Sequence, residues 1–232
     1  MQNKDYTALE SKTGIVFKDT DLLARAFIHK SYINENRDED LRHNERLEFL
    51  GDAVLELAAT HYLFDKYPDE DEGKMTSFRS ALVKGQHLAQ VAEELELGTY
   101  LYLSKGEEKS GGREKKYILA NVMEAYIGAI YIEHGYDVAE KFIGKFILYR
   151  LDDILEKGLH IDSKSRFQES CQEHEEHTPY YEMVKDEGPD HNKNFTMGAY
   201  INGTLIALGT GSSKQKAEED AAYNSLKEKG WL

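Results

Sequence analysis

The chain has 232 residues, 40% hydrophobic and 31% charged, enough for one large domain or two small ones with a buried core. It has no run of about 18 apolar residues, so no transmembrane helix is expected, and the polar start MQNKDYTALESK argues against a secretory signal. The net charge of −14 disfavours a polynucleotide partner, so any such partner has to be held by local basic clusters.

Residues 1 to about 150 read as helix. DTDLLARAFIHKSYI places Leu22, Leu23, Ala26, Phe27 and Tyr32 near a 3.6-residue period, with Asp19 to Asp21 as cap candidates. RLEFLGDAVLELAATHYLFDKYP reads as one long apolar helix that stops before Pro68. TSFRSALVKGQHLAQVAEELEL is expected as a single helix opening at Thr76 or Ser77 and ending near Gly98. A helix over SGGREKKYILANVMEAYIGAIYIEHG starts after its Gly-Gly loop and closes at Gly135, and DVAEKFIGKFILYRLDDIL supplies a fifth.

The polar stretch EKGLHIDS then joins this part to a different pattern. SKSRFQESCQEHEE reads as a helix. YYEMVKDEG, NFTMGAYING and TLIALGTGSS alternate like strands, with turns at EGPDHNK and NG, and KQKAEEDAAYNSLKEKG closes the chain as a helix. The expected fold is therefore an all-α N-terminal domain followed by a small α+β domain of order α-β-β-β-α. Cys171 is the only cysteine, which leaves no intrachain disulfide and suits a reducing cytoplasm.

Two stretches carry acids against the apolar pattern. In NERLEFLGD, Glu48 and Asp52 are four apart and share a helix face, with Glu45 one turn earlier. In LANVMEAYIG, Asn121 and Glu124 are three apart among Leu119, Val122, Met123 and Ile127. The bland alternative is that each acid caps a helix, faces solvent or pairs with Arg42, Arg46 or Arg79. Two clusters in the two most apolar helices favour a shared role, because crowded carboxylates repel unless a cation or proton neutralises them. Oxygen ligands without His or Cys favour Mg²⁺ or Mn²⁺, and that chemistry suits phosphoesters.

HNERLEFLGDAVLEL resembles the signature of the ribonuclease III family, and LLARAFIHKSY, EGKMTSFRSALVKG, LGTYLYLSKGEEKSGG and ILANVMEAYIGAIYIEHG resemble its other blocks in order. The resemblance implies a helical endonuclease and dimerisation domain over 1–153, a linker over 154–161 and a double-stranded-RNA-binding domain over 162–232. It implies Glu48, Asp52, Asn121 and Glu124 as metal ligands, with Asp52 and Glu124 catalytic. The family most often has Asp where this chain has Asn121, which keeps an oxygen but loses a charge. Two readings follow: a tolerated ligand of an active enzyme, or a weakened site in a protein that grips RNA and no longer cuts. Glu45 matches a further signature acid that Arg79 is placed to pair and orient. Glu72 falls on a family block, with helix capping its favoured role, and His29 and Lys30 read as structural. Phe49 resembles the aromatic of the family's dimer contact, with an ordinary core aromatic as the alternative.

The second domain resembles the double-stranded-RNA-binding domain through FQESCQEH, GPDHNKNFTMGAYING and GTGSSKQKAEEDAA. Such domains read A-form shape across two minor grooves and the phosphates between them. Gln168 and Glu169 are placed to meet 2′-hydroxyls and His191 to enter the next minor groove. Ser212 and Ser213 cap the last helix, beside Lys214 and Lys216, at a place suited to phosphate. The family's commonest pattern has two adjacent basic residues after this cap, and this chain has Lys214 followed by Gln215. From residue 161 onward there are eight Lys and Arg against thirteen Asp and Glu, so modest, salt-sensitive binding is expected. The expected protein is thus a cytoplasmic, Mg²⁺-dependent, homodimeric endonuclease for double-stranded RNA, with no membrane association. A helical phosphohydrolase acting on small nucleotides is a rival that leaves the second domain unexplained.

Overall fold

The computed structural model describes residues 4–36, 41–156, 162–188 and 193–231. The chain divides into two compact units, residues 1–160 and 161–232. Each has its own apolar core.

The first unit is helical: α1 (Thr7–Thr13), α2 (Thr20–Ala26), α3 (Lys30–Glu35), α4 (Glu45–Lys66), α5 (Glu72–Leu82), α6 (Gly85–Glu94), α7 (Lys105–Lys109), α8 (Lys116–His134), α9 (Tyr136–Phe146) and α10 (Leu151–Glu156). Its axis is α8, apolar nearly all round and buried from Ile118 to Ile130 apart from Asn121 and Glu124. A helix of that composition is stable only when surrounded, and α2, α4, α6 and α9 pack against it. Tyr126 at its middle meets the rings of Phe17, Phe27 and Phe142, while its hydroxyl hydrogen-bonds the Thr13 hydroxyl at 3.3 Å.

Three segments expected as single helices are broken, two of them at a tertiary contact. Residues 19–33 split after Ala26, because Ile28 forms a parallel bridge with Tyr102. The Tyr102 N–H donates to Phe27 O (2.9 Å) and the His29 N–H to Tyr102 O (3.1 Å), so this backbone is unavailable to a helical ladder. The His29 ring then caps α3, accepting from the Ser31 N–H at 3.3 Å. The helix expected from Thr76 starts earlier, where Asp71, not Glu72, caps α5 by accepting from the Lys74 N–H at 2.8 Å. It ends at Leu82, since Lys84 is extended (ψ 130°) and turns the chain into α6. The fifth helix bends at Ile147, whose carbonyl meets the buried His87 ring at 3.2 Å, and continues as a 3₁₀ turn and α10.

The second unit runs α11 (Ser163–Glu175), β1 (Tyr180–Glu187), β2 (Asn194–Ile201), β3 (Thr204–Gly211) and α12 (Lys214–Lys229). The sheet is antiparallel in the order β1-β2-β3. Asn202 and Gly203 make the tight β2–β3 turn with φ of 46° and 80°, which only such residues adopt readily. Phe167 and Cys171 of α11, Ala199 and Ile201 of β2, and Ala221, Ala222 and Leu226 of α12 form its core, closed by Trp231. The fold is all-α followed by α-β-β-β-α, as the patterning predicts. Among the described residues no helix is long and apolar enough to cross a membrane.

Candidate active site

The two acid-bearing stretches meet because two glycines let their helices touch. A Cβ on Gly51 of α4 would stand 1.8 Å from the Glu124 carbonyl oxygen of α8, and one on Gly128 would stand 2.2 Å from the Leu47 carbonyl oxygen. Only a glycine at each point allows this approach. Gly51 lies between Glu48 and Asp52, and Gly128 lies one turn beyond Glu124, so the crossing draws these acids together with Asn121.

The electrostatics follow from that crowding. Burial first, then the nearby Asp52 and Glu48 carboxylates, push Glu124 up to about 7. Burial and then Glu45 also raise Glu48, while Lys30 and the Asn121 amide pull the other way. Glu48 Oε2 is buried with no hydrogen-bond partner. A buried carboxylate oxygen left unpaired is costly and calls for a ligand or a proton. Asp52 is the exposed member of the group. Among the described residues no three Asp, Glu, His or Cys side chains close on one point as a finished metal cage. The donor set nevertheless fits a hard cation: three carboxylates and an amide oxygen, one acid holding its proton to about pH 7 and another with an orphaned oxygen.

Around this group two placements differ from the sequence expectation. Arg79 pairs with Glu56 (2.9 Å) and donates to the Thr60 hydroxyl (2.9 Å), not to Glu45. Glu45 is held by Lys30 at 3.2 Å, with His43 at 3.6 Å, and the Lys30 hydrogen bond keeps its carboxyl below the usual range. Lys30, read from sequence as structural, is therefore the cation that faces the acids. The IHKSY stretch carries no signal for this, because the contact depends on where α3 packs. Glu72 stands exposed in the first turn of α5. Phe49 is 80% exposed and so is not a core aromatic.

In the second unit Gln168 and Glu169 are exposed on α11. Ser213 caps α12 by accepting from the Lys216 N–H at 3.2 Å, with Lys214 and Lys216 exposed beside it. Ser212 is exposed and precedes that cap. His191 lies outside the described residues.

Comparison with known proteins matches both units. The family model Ribonuclease-III-like covers residues 19–151, and Double-stranded RNA binding motif covers residues 163–229. The chain is 46% identical over 220 residues to Ribonuclease 3 of Pelotomaculum thermopropionicum, an alignment spanning 95% of this chain and 91% of that one. It is 44% identical to Ribonuclease 3 of Enterococcus faecalis, spanning 98% of both. Among solved structures, the nuclease domain of ribonuclease III from Campylobacter jejuni aligns with a TM-score of 0.58 at 40% identity, covering 62% of this chain and 97% of that one. Similarity of this extent, along nearly the whole of both relatives, assigns the chain to the ribonuclease III family as an endoribonuclease of that type that carries a double-stranded-RNA-binding domain.

Proposed function

We propose that the protein cleaves double-stranded RNA as a homodimer dependent on Mg²⁺, with Mn²⁺ as a substitute. The observation that carries this reading is the crossing at Gly51 and Gly128, which sets Glu48 and Asp52 against Asn121 and Glu124 around an unpartnered carboxylate oxygen. A divalent ion held by these four residues supplies polarisation of a phosphoryl oxygen and a water of lowered pKa. Glu124 keeps its proton below about pH 7 and releases it above, so the site gains its full charge as pH rises through that value. Lys30 steadies Glu45 and moderates the charge on Glu48. Resemblance to the family supplies the finer terms: 5′-phosphate and 3′-hydroxyl ends, short 3′ overhangs, and maturation of ribosomal RNA precursors and other structured RNAs. Gln168, Glu169, His191, Ser213, Lys214 and Lys216 would grip the duplex. A cytoplasmic setting, where the buried Cys171 stays reduced, completes the reading.

Homodimerisation is supported by an apolar stripe. Phe49, Leu57 and Phe64 fall on one side of α4 and are 80%, 56% and 68% exposed. Large apolar groups aligned this way mark an interaction surface, and the Campylobacter protein is described with a region involved in dimer formation. Phe49→Asp is expected to weaken self-association by about 2 kcal/mol or more, roughly thirtyfold in dissociation constant. Sedimentation equilibrium checks this, and an unchanged dimer would remove Phe49 from the interface.

Asn121 supports the second reading, a dimer that binds RNA and no longer cuts. Asn121→Asp is expected to lower the Mg²⁺ concentration needed for half-maximal cleavage by about tenfold, because it adds a fourth carboxylate charge for the ion. Measurable Mg²⁺-dependent cutting by the parent chain makes Asn121 a working ligand. Cutting seen only in the Asp variant would establish the second reading instead.

A further inference from the structure

The face of α8 that carries Asn121 and Glu124 runs from a closed end to an open one. Residues 117, 121, 124 and 128 fall within about 60° of one another around the helix, since each step of three or four residues nearly completes a turn. Gly128 is buried where α4 crosses, Glu124 and Asn121 are half-buried, and Tyr117 is 58% exposed. The cleft between the two helices therefore opens toward the N-terminus of α8, and Tyr117 stands at its mouth. Helical side chains lean toward the N-terminus of their own helix. The phenol thus extends outward from Asn121 and does not lie over the acids.

Its neighbours leave the ring uncovered. Lys115 turns back to the Glu107 carboxylate at 2.7 Å and the Ser110 hydroxyl at 2.9 Å, and Lys116 pairs with Glu93. Among the described residues the Tyr117 hydroxyl has no hydrogen-bond partner. The exposed stripe of α4 does not cover it either. Phe49 is two residues from Gly51, about 200° around the helix, so the stripe faces away from the side that packs on α8. Beside the Glu48, Asp52 and Glu124 carboxylates, a neutral group meets an RNA strand best at its ribose, because acids repel phosphate. In A-form RNA the wide minor groove displays the ribose 2′-hydroxyls.

We propose that Tyr117 is a specificity-determining contact: its hydroxyl donates a hydrogen bond to a ribose 2′-oxygen of the substrate, on a nucleotide beside the one whose phosphate is attacked. The contact rests on the functional reading above and deepens it, since it lets the carboxylate site tell RNA from DNA at one position. A site built to bond a substrate hydroxyl rejects the analogue that lacks it. The 2′-oxygen takes no part in the attack, so the bond is equally strong in the ground and transition states. It lowers KM and leaves kcat alone.

The test is a cycle between protein and substrate, made with the full chain. Tyr117→Phe removes one exposed oxygen and keeps the ring, so the variant folds as its parent does. Cleavage of an RNA hairpin in Mg²⁺ and affinity for it in Ca²⁺ are measured for both proteins, with each 2′-hydroxyl of the stem replaced in turn by hydrogen. On the all-RNA hairpin the variant is expected to raise KM, and Kd in Ca²⁺, about fivefold with kcat unchanged. At one nucleotide the parent is expected to lose the same factor on deoxy substitution while the variant loses nothing, which is the coupling of two groups that touch. Additive losses at every position would overturn the contact, as would a variant that matches its parent on the all-RNA hairpin or a loss confined to kcat. Tyr117 would then be an ordinary exposed side chain. If the parent binds in Ca²⁺ without cutting, the coupling in Kd decides in the same way. A parent that neither binds nor cuts duplex RNA would refute the functional reading itself, a result distinct from failure of the contact alone.

Discussion

Glu124→Gln is expected to abolish cleavage while making the metal-free protein more stable above pH 7. Removing one carboxylate from a divalent-ion site withdraws several kcal/mol of transition-state stabilisation, a rate loss of roughly 10³-fold or more. The stability change has the opposite sign. In the folded chain Glu124 is raised from 4.5 to about 7, by burial and then by Asp52 and Glu48. A carboxyl raised in this way favours the folded state below its unfolded value and loses that contribution as pH rises through about 7. At full strength the shift is worth about 3 kcal/mol, and roughly 2 kcal/mol after solvent screening in a partly open site. Gln carries no such cost. Without metal at pH 8 the variant should melt roughly 5 °C above its parent, and near pH 5 most of that gap should close. Thermal unfolding at the two pH values reads this directly. A variant less stable than its parent at pH 8 would mean that the three carboxylates do not crowd one another.

The second large effect belongs to Gly51→Ala. The added methyl would stand 1.8 Å from the Glu124 carbonyl oxygen, 2.7 Å from its carbonyl carbon and 2.8 Å from the Gly128 nitrogen. All three are backbone atoms on the most enclosed helix, so the helices themselves must part. Overpacking of this kind costs more than the usual range, about 4 kcal/mol or more, and lowers the melting temperature by about 10 °C or more. Cleavage should fall with it, because the methyl displaces the residue that carries Glu124. Gly144→Ala is the matching control. Nothing lies within 4 Å of a Cβ there, and α9 should gain about 0.5–1 kcal/mol from the better helix former. Equal behaviour of the two variants in calorimetry would refute the close crossing.

Local signals in the sequence carried much of this fold. The apolar periodicity of α4 and α8, the stop before Pro68, the Ser213 cap and the alternation of β1 to β3 are properties of short segments and are visible without a partner. The breaks at residues 27–29 and at 83–84 are not, because they arise from the bridge between Ile28 and Tyr102 and from an extended Lys84. The same division applies to the site. Spacing places Glu48 with Asp52 and Asn121 with Glu124, but only packing joins the pairs. The available signal was a glycine beside each pair, Gly51 and Gly128. The partner of Glu45 was not legible: the sequence points to Arg79, and only the position of α3 decides for Lys30.

A metal-dependent site for cutting double-stranded RNA, formed by the α4–α8 carboxylates, has a direct signature in its products. The most direct measurement is end-group and product analysis of a long perfect RNA duplex, and of its separated strands, incubated with the full chain in Mg²⁺, in Ca²⁺ and in chelator. Short duplex fragments with 5′-phosphates are expected in Mg²⁺ alone, with the separated strands intact throughout. Cutting that persists in chelator, or that consumes the separated strands equally well, would contradict it.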